Sequence, residues 1–301
     1  MSDRNTILEE ISRQKNLGQD IVRKKYIQQL ASYTHNDTVV YVSSFGKPGI
    51  PSNAIQISND DIQGFMTCLK GLSGTKLDLI LHSPGGSLEA AEQIVQYLRS
   101  KYDYIRVIVP QNAMSAATMI SCAADEIVMG KESAIGPIDP QMVVPGPNNS
   151  AMSIPAHSIL EDFERAKAEV AANPAVAPIW VPKIMAIPPG YLNLCKQTID
   201  LSKEKVATWL DSYMFKNTEK KGSEIAEFLG NFGAHKTHGR PINYDIAKEK
   251  GLNVTRLEDD QILQDCVLSV YHASMITIDV TSCVKMIENQ NEKGYYITVA
   301  R

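Results

Sequence analysis

Three apolar runs within residues 77–140 restrict the possible folds more than any other part of the chain. The first run, 77–82, breaks at Ser83-Pro84-Gly85-Gly86 and is followed by a segment with helical periodicity. The second run, 105–109, leads into a short stretch of small residues, and the third, 126–129, leads into a Gly-Pro turn. An alternation of strand, helix, strand, helix and strand predicts a parallel sheet with crossover helices.

Two features of this unit indicate chemistry. Gly85 and Gly86 follow the first predicted strand, where the lack of side chains permits positive φ and lets a ligand approach the backbone N–H groups. Ser115 lies where the chain turns from the second strand into a helix, so its Oγ and the N–H of Ala116 can face one space. Both features also have a purely structural explanation: the two glycines could form a tight turn, and Ser115 could be a helix N-cap. A nucleophile beside backbone donors is the minimum set for acyl transfer, and the pairing of the two features at successive strand ends favours that function.

The same region carries four motifs: LHSPGG (81–86), PQNAMSAATMI (110–120), AADEIVMG (123–130) and AIGPIDPQ (134–141). They resemble the Clp protease/crotonase fold, and most closely the signal peptide peptidase A-like serine peptidases of the serine dehydrogenase proteinase family. The resemblance covers about 25–285. It implies an α/β fold, a repeated ββα spiral with a mostly parallel sheet and added N- and C-terminal helices. The expected organisation is an N-terminal helical extension (1–35), a peptidase domain (36–255) and a C-terminal helix and strand (256–301).

The resemblance also implies the catalytic groups. Ser115 would be the nucleophile, and the N–H groups of Gly86 and Ala116 would form the oxyanion hole, with Gly85 shaping the loop. In Clp proteases a histidine follows the serine on the next strand. Residues 133–137 contain no histidine, which argues against a copied Ser-His-Asp triad.

The resembled peptidases use a lysine instead, placed early in the helix that follows the loop after the G-P-I-D turn. By position this general base is Lys196, which lies in the less polar sequence YLNLCKQTI. A lysine can accept the serine proton only when it is uncharged, and burial lowers its pKa in that direction. Lys183 and Lys167 are the alternative bases. Lys196 could also be an ordinary exposed lysine on a helix, without a catalytic role.

Composition and motifs exclude other classes of function. Lys and Arg total 30 against 34 Asp and Glu, so neither a nucleic acid nor an anionic membrane is expected as a partner. No apolar stretch approaches the roughly 18 residues that span a bilayer, and the N-terminus is too polar for a secretory signal, so we expect a cytoplasmic protein without membrane insertion.

The five cysteines are scattered, and His235 and His238 have no carboxylate or cysteine nearby in the sequence. No G-x-G-x-x-G follows a strand, and we therefore expect no metal and no cofactor.

The expected substrate is an extended or unfolded peptide that adds as a strand beside Gly85 and Gly86. Residues 173–190 hold five prolines among many apolar residues and are interpreted as an extended arm, packed on its own domain or on a neighbouring subunit of a homo-oligomer. Residues 143–153 are turn-rich and predict a mobile surface loop. Two other functions stay open: a crotonase-like enzyme that polarises an acyl-CoA thioester, and a non-catalytic oligomeric scaffold.

Overall fold

A computed structural model of the chain describes residues 3–14, 17–145 and 151–300. Within those ranges the strands are β1 Asp37–Ser43, β2 Lys76–His82, β3 Tyr104–Val109, β4 Asn112–Ala113, β5 Glu126–Met129, β6 Ala134–Ile135, β7 Gln141–Pro145, β8 Ala151–Pro155, β9 Val254–Arg256, β10 Cys283–Asn289 and β11 Gly294–Thr298. The helices are α1 Arg4–Arg13, α2 Gly18–Thr34, α3 Ser52–Ile55, α4 Asp60–Leu69, α5 Leu88–Arg99, α6 Ala116–Cys122, α7 Ala156–Ala172, α8 Ala177–Met185, α9 Tyr191–Ser212, α10 Gly222–Leu229, α11 Phe232–His235, α12 Tyr244–Glu249 and α13 Gln261–Val280.

The central sheet has the strand order β11-β10-β1-β2-β3-β5-β9. From β1 to β9 all neighbours run parallel, as the apolar runs predicted, while β10 pairs antiparallel with β1 and β11 pairs antiparallel with β10. The α/β class and the mostly parallel sheet are therefore confirmed. The division at residues 35/36 and 255/256 stays a prediction, although the C-terminal segment contributes two of these strands.

Strand alternation builds a core on each face of the sheet. Leu79 and Leu81 of β2 join one cluster with α4, α5, α6 and the C-terminal half of α9. Ile80, between them, joins the opposite cluster with α2 and α13. Because parallel strands covered on both faces are apolar throughout, the uninterrupted runs in the sequence indicated this layering.

A third, smaller cluster lies in the segment between residues 141 and 200, which we call the insert. Here the antiparallel pair β7 and β8 packs with α7 and the first turns of α9 around Ile159, Cys195 and Ile199. The prediction of a loop over 143–153 is wrong at both ends, where the chain forms this pair. Its centre, residues 146–150, lies outside the described residues.

The prediction of an extended arm over 173–190 is also wrong. The segment forms a 3₁₀ turn, Pro174–Val176, followed by α8, which contains Pro182 in its interior. Trp180 explains why a helix survives there, because its ring is 7% exposed and its Nε1–H donates to Glu169 of α7 at 2.7 Å. Tertiary packing of one large aromatic side chain thus outweighs the loss of a single backbone hydrogen bond at the proline.

Candidate active site

The loop at the carboxyl end of β2 carries both glycines in conformations that other residues avoid. Their φ values are +97° at Gly85 and +155° at Gly86. A Cβ on Gly85 would lie 2.6 Å from the Ser115 Cβ, and a Cβ on Gly86 would overlap the backbone of Ile57. The loop is therefore confined between two segments, and glycine is required because of close approach as well as backbone conformation.

One of these segments leads directly to Ser115. The Ser83 N–H donates to Asn112 O at 2.9 Å, and the Met114 N–H donates to Ser83 O at 3.0 Å. These bonds align the end of β2 with β4. The two strand ends singled out in the sequence are thus adjacent in space.

The other segment is Ile57, which forms a parallel bridge with Gly86. Its N–H donates to Gly85 O at 2.8 Å, and its carbonyl accepts from the Ser87 N–H at 2.9 Å. Successive residues of an extended segment direct their backbone groups to opposite edges, so the N–H and C=O of Gly86 face away from Ile57. In the described part of the chain, no backbone hydrogen bond pairs Gly86 along this edge beside Ser115.

Ser115 itself occupies a strained strand-to-helix turn. Its φ of 53° and ψ of −119° are rare for a residue with a side chain, and its hydroxyl makes no capping hydrogen bond with α6. Ser87, by contrast, caps α5 by accepting from the Ala90 N–H at 3.1 Å. A serine presented on a sharp turn, with its hydroxyl not used as a cap, is the arrangement of a hydrolase nucleophile.

Two backbone donors accompany the hydroxyl. The Ala116 N–H belongs to the first turn of α6, where the helix offers no acceptor, and a Cβ on Gly85 would lie 3.0 Å from this nitrogen. Among the residues that the structure describes, neither this N–H nor that of Gly86 has a hydrogen-bond acceptor. Donors without partners beside a nucleophile are what an oxyanion hole needs.

The segment after β6 brings a carboxylate and a histidine together. Ile135 pairs antiparallel with Ile242, and continuing that register puts Asp139 opposite His238. Asp139 is 1% exposed, and its Oδ1 lies 2.8 Å from Nδ1 of His238. A carboxylate that holds Nδ1 of an imidazole leaves Nε2 to accept a proton, as in a general base oriented by an acid.

A buried threonine fixes this segment against the serine turn. The Thr118 hydroxyl, three residues after Ser115, donates to Ala113 O at 2.7 Å and accepts from the Gly136 N–H at 2.9 Å. Asp139 follows Gly136 by three residues. The start of the segment that leads to Asp139 is therefore hydrogen-bonded to the serine turn.

Sequence reasoning missed this pair. Residues 133–137 do lack a histidine, but the stretch continues into a carboxylate that binds a histidine about 100 residues further along the chain. In the sequence His238 has no carboxylate near it as a metal site would require, yet one is near it in space. The indication available in the sequence was Asp139, an acidic residue four positions after the end of β6.

The predicted lysine bases lie on the insert and are exposed. Lys196 is on the solvent side of α9, next to the buried Cys195. Lys183 lies 4.9 Å from the ring centre of Trp180, and Lys167 pairs with Glu164 at 2.8 Å. Within the described part of one chain, none of the three is buried as an uncharged base requires.

Two other histidines border the site. His82, 1% exposed at the end of β2, accepts from the Asn112 N–H at 3.2 Å, and burial lowers its pKa to about 4. It is therefore a neutral core residue, as expected for a histidine in a strand. His157 stacks on Phe232, and burial, together with the charge of Lys203, lowers its pKa.

In the described ranges no group of three or more His, Cys, Asp or Glu side chains could hold a metal ion. None of the helices in the described ranges is both long and apolar enough to cross a bilayer.

Comparison with known proteins identifies a family for this chain. The model of the ClpP-like SDH-type serine proteinase family matches residues 44–293. Two uncharacterized proteins of Methanocaldococcus jannaschii are similar, one 30% identical over 78% of this chain and 73% of its own length, the other 32% identical over 59% and 51%.

Among solved structures, two variants of the 1510-N membrane-bound stomatin-specific protease are similar at 18% identity over 70% of this chain. A serine-to-alanine variant has a TM-score of 0.41 over 79% of its chain. A lysine-to-alanine variant in complex with a substrate peptide has a TM-score of 0.29 over 93%. Since the family match spans most of the chain and includes the glycine loop, Ser115, Asp139 and His238, this protein belongs to the ClpP-like SDH-type serine proteinases.

Proposed function

We propose that the chain is a serine endopeptidase in which Ser115 is the nucleophile and the N–H groups of Gly86 and Ala116 form the oxyanion hole. The observation that carries the proposal is the contact between Gly85 and the strained turn at Ser115, which brings hydroxyl and donors together. Family membership supports the peptidase class.

As the general base we propose His238, whose Nδ1 lies 2.8 Å from Asp139 Oδ1. Both members of the pair belong to one chain, and the buried Asp139 carboxylate orients the imidazole. The Ser/Lys dyad with Lys196, implied by the resemblance, is the competing arrangement. It requires another surface, such as a second subunit, to cover the exposed amine and lower its pKa.

The reaction would proceed through an acyl-enzyme. Ser115 Oγ attacks the scissile carbonyl carbon while its proton passes to His238 Nε2, and the two N–H groups stabilise the oxyanion. Collapse breaks the C–N bond, and the proton on Nε2 transfers to the departing amine. Water then attacks the ester with the same base, which releases the acid and restores the serine.

The open edge at Gly86 determines the kind of substrate. An extended peptide can pair with the N–H and C=O of Gly86 and so deliver a carbonyl to Ser115. Folded chains do not offer a free strand, which points to unfolded or loop segments. A homo-oligomer that uses the insert and a cytoplasmic location both stay predictions.

Replacing the nucleophile tests the proposal. We expect Ser115→Ala to lower cleavage of fluorescein-labelled casein by at least about 10³-fold and to abolish labelling by a fluorophosphonate probe, with the melting temperature unchanged. Ser87→Ala, which removes a helix cap, is the matched serine control and should keep both signals. Labelling of the Ser115→Ala protein at the wild-type rate would remove Ser115 from the mechanism.

A further inference from the structure

We propose that the buried ion pair of Lys285 and Asp61 positions the oxyanion donor of Gly86, by clamping the segment 56–58 against which the glycine loop is hydrogen-bonded. The inference rests on the proposed function, since it concerns the geometry of that site. Neither residue touches the substrate edge, so both are positioning residues.

Lys285 lies on β10, and its side chain is 1% exposed. Its Nζ donates to Gln56 O at 2.8 Å and lies 2.7 Å from Asp61 Oδ1. The contact with Asp61 is a charge–charge contact, because Asp61 Oδ1 has no hydrogen-bond partner among the described residues. The ammonium group donates one of its three hydrogens to the backbone of the segment that it holds.

Asp61, at the start of α4, holds the same segment from its other end. Its Oδ2 accepts from the Ser58 N–H and from the Tyr41 hydroxyl, both at 2.9 Å. Tyr41 belongs to β1, so the carboxylate is tied to the sheet as well as to the helix. Gln56 and Ser58 are thus each held by one member of the ion pair.

The residue between them is Ile57, whose N–H and C=O are the partners of Gly85 and Ser87. The backbone of Ile57 is the surface against which Gly86 packs, with no room for a Cβ. A displacement of Ile57 would be transmitted to the Gly86 N–H without a side chain to absorb it. Oxyanion donors act only when they point at the position of the developing charge, so a small shift has a large effect on rate.

The chemistry of the pair supports positioning over stability. An ion pair with both side chains buried is often no more stabilising than apolar residues of the same volume. Apolar replacements would fill the space beneath Gln56, but they could not donate to its carbonyl. Unlike apolar residues, the charged pair can make the hydrogen bonds that hold the backbone of Gln56 and Ser58.

The test is the double variant Lys285→Met/Asp61→Asn. It leaves no unpaired charge, and the amide oxygen can still accept from Ser58, so the fold is retained while the bond to Gln56 is lost. With p-nitrophenyl butyrate as the probe, we expect kcat to fall about 30-fold and KM to change by less than twofold. Amide hydrogen exchange in residues 54–58 and 83–90 should accelerate at least tenfold.

The control is Arg106→Met/Asp78→Asn, which removes another largely buried pair, bonded at 2.8 and 2.9 Å, at the opposite end of the sheet. It should lower the melting temperature without changing kcat or exchange in those two segments. Unchanged kcat and exchange in the Lys285→Met/Asp61→Asn protein, or equal losses in the control, would overturn the inference. If the wild-type protein is inactive on the ester, the proposed function fails, whereas hydrogen exchange still decides whether the clamp exists.

Discussion

The carboxyl end of the sheet and the insert differ in how firmly they hold their candidate catalytic side chains and in how exposed those side chains are. At the sheet end, the backbone on either side of Ser115 and the glycine loop is held by short hydrogen bonds, and Asp139 is buried. In the insert, apolar side chains point to solvent, with Val143 at 69% and Met185 at 80% exposure, and the candidate lysines are exposed beside them. The sheet end is organised within one chain, whereas a base on the insert would need a second surface to complete it.

The largest effect should come from removing the base, and it tells the two regions apart. We expect His238→Ala to lower kcat/KM on labelled casein by about 10³-fold, because the serine loses its proton acceptor. Lys196→Ala should stay within threefold of wild type, since its side chain is exposed on the insert. Both values of kcat/KM are measured by steady-state kinetics, with the two variants at matched concentration.

The reverse ranking would refute this assignment. A loss of about 10³-fold in Lys196→Ala, with His238→Ala near wild type, would establish the Ser/Lys dyad. In that case, the insert of one subunit would complete the active site of another. His238→Gln serves as a control for the loss of volume.

A second prediction compares two glycines that have similar positive φ values. Gly85 and Gly190 have φ values of +97° and +81°, but a Cβ would meet Ser115 at the first and nothing within 4 Å at the second. We expect Gly85→Ala to lower kcat by about 10²-fold, because the added methyl group displaces the nucleophile. Gly190→Ala should cost about 1 kcal/mol in the free energy of unfolding and leave kcat unchanged. Equal kcat losses would mean that strain alone, not contact with the site, is responsible.

Most of the sheet could be predicted because its strands are apolar throughout and end at strong turn residues. The same logic located Gly85, Gly86 and Ser115, since parallel strand ends meet at one edge. It missed β10, whose short run contains Lys285 and Glu288 at buried positions. Buried charges hide a strand from hydropathy when their partners, here Asp61 and Arg23, lie more than 200 residues away in the chain.

The base and the helix α8 could not be predicted for a related reason. The contact of His238 with Asp139 depends on an antiparallel bridge between residues 135 and 242, which no local pattern specifies. α8 depends on the packing of Trp180 against α7, which offsets an unfavourable proline. Both are long-range contacts that override local sequence preference.

A third prediction compares the histidines of the two regions. The pKa of His82 is about 4, against 6.5 for the ordinary side chain, so the unfolded chain binds a proton between those pH values and the folded chain does not. Stability should therefore fall by about 3 kcal/mol as pH drops from 6.5 to 4, and His82→Asn should remove that part of the loss. His157→Asn, in the half-buried insert position, should change the profile less. Urea unfolding at several pH values measures both, and parallel profiles for wild type and His82→Asn would contradict the assignment.

The smallest effect on stability is expected for the exposed face of the insert. Met185→Glu replaces a side chain that is 80% exposed, so the free energy of unfolding of the single chain should change by no more than about 0.5 kcal/mol. If the insert is the contact between subunits, the same change introduces a charge into that contact, and the mass measured by light scattering should fall to that of a smaller species. Met66→Glu, on α4 and 49% exposed, is the matched control and should leave the mass unaltered. An unchanged mass for Met185→Glu would remove the insert as the subunit contact, and with it the surface that could bury the Lys196 amine.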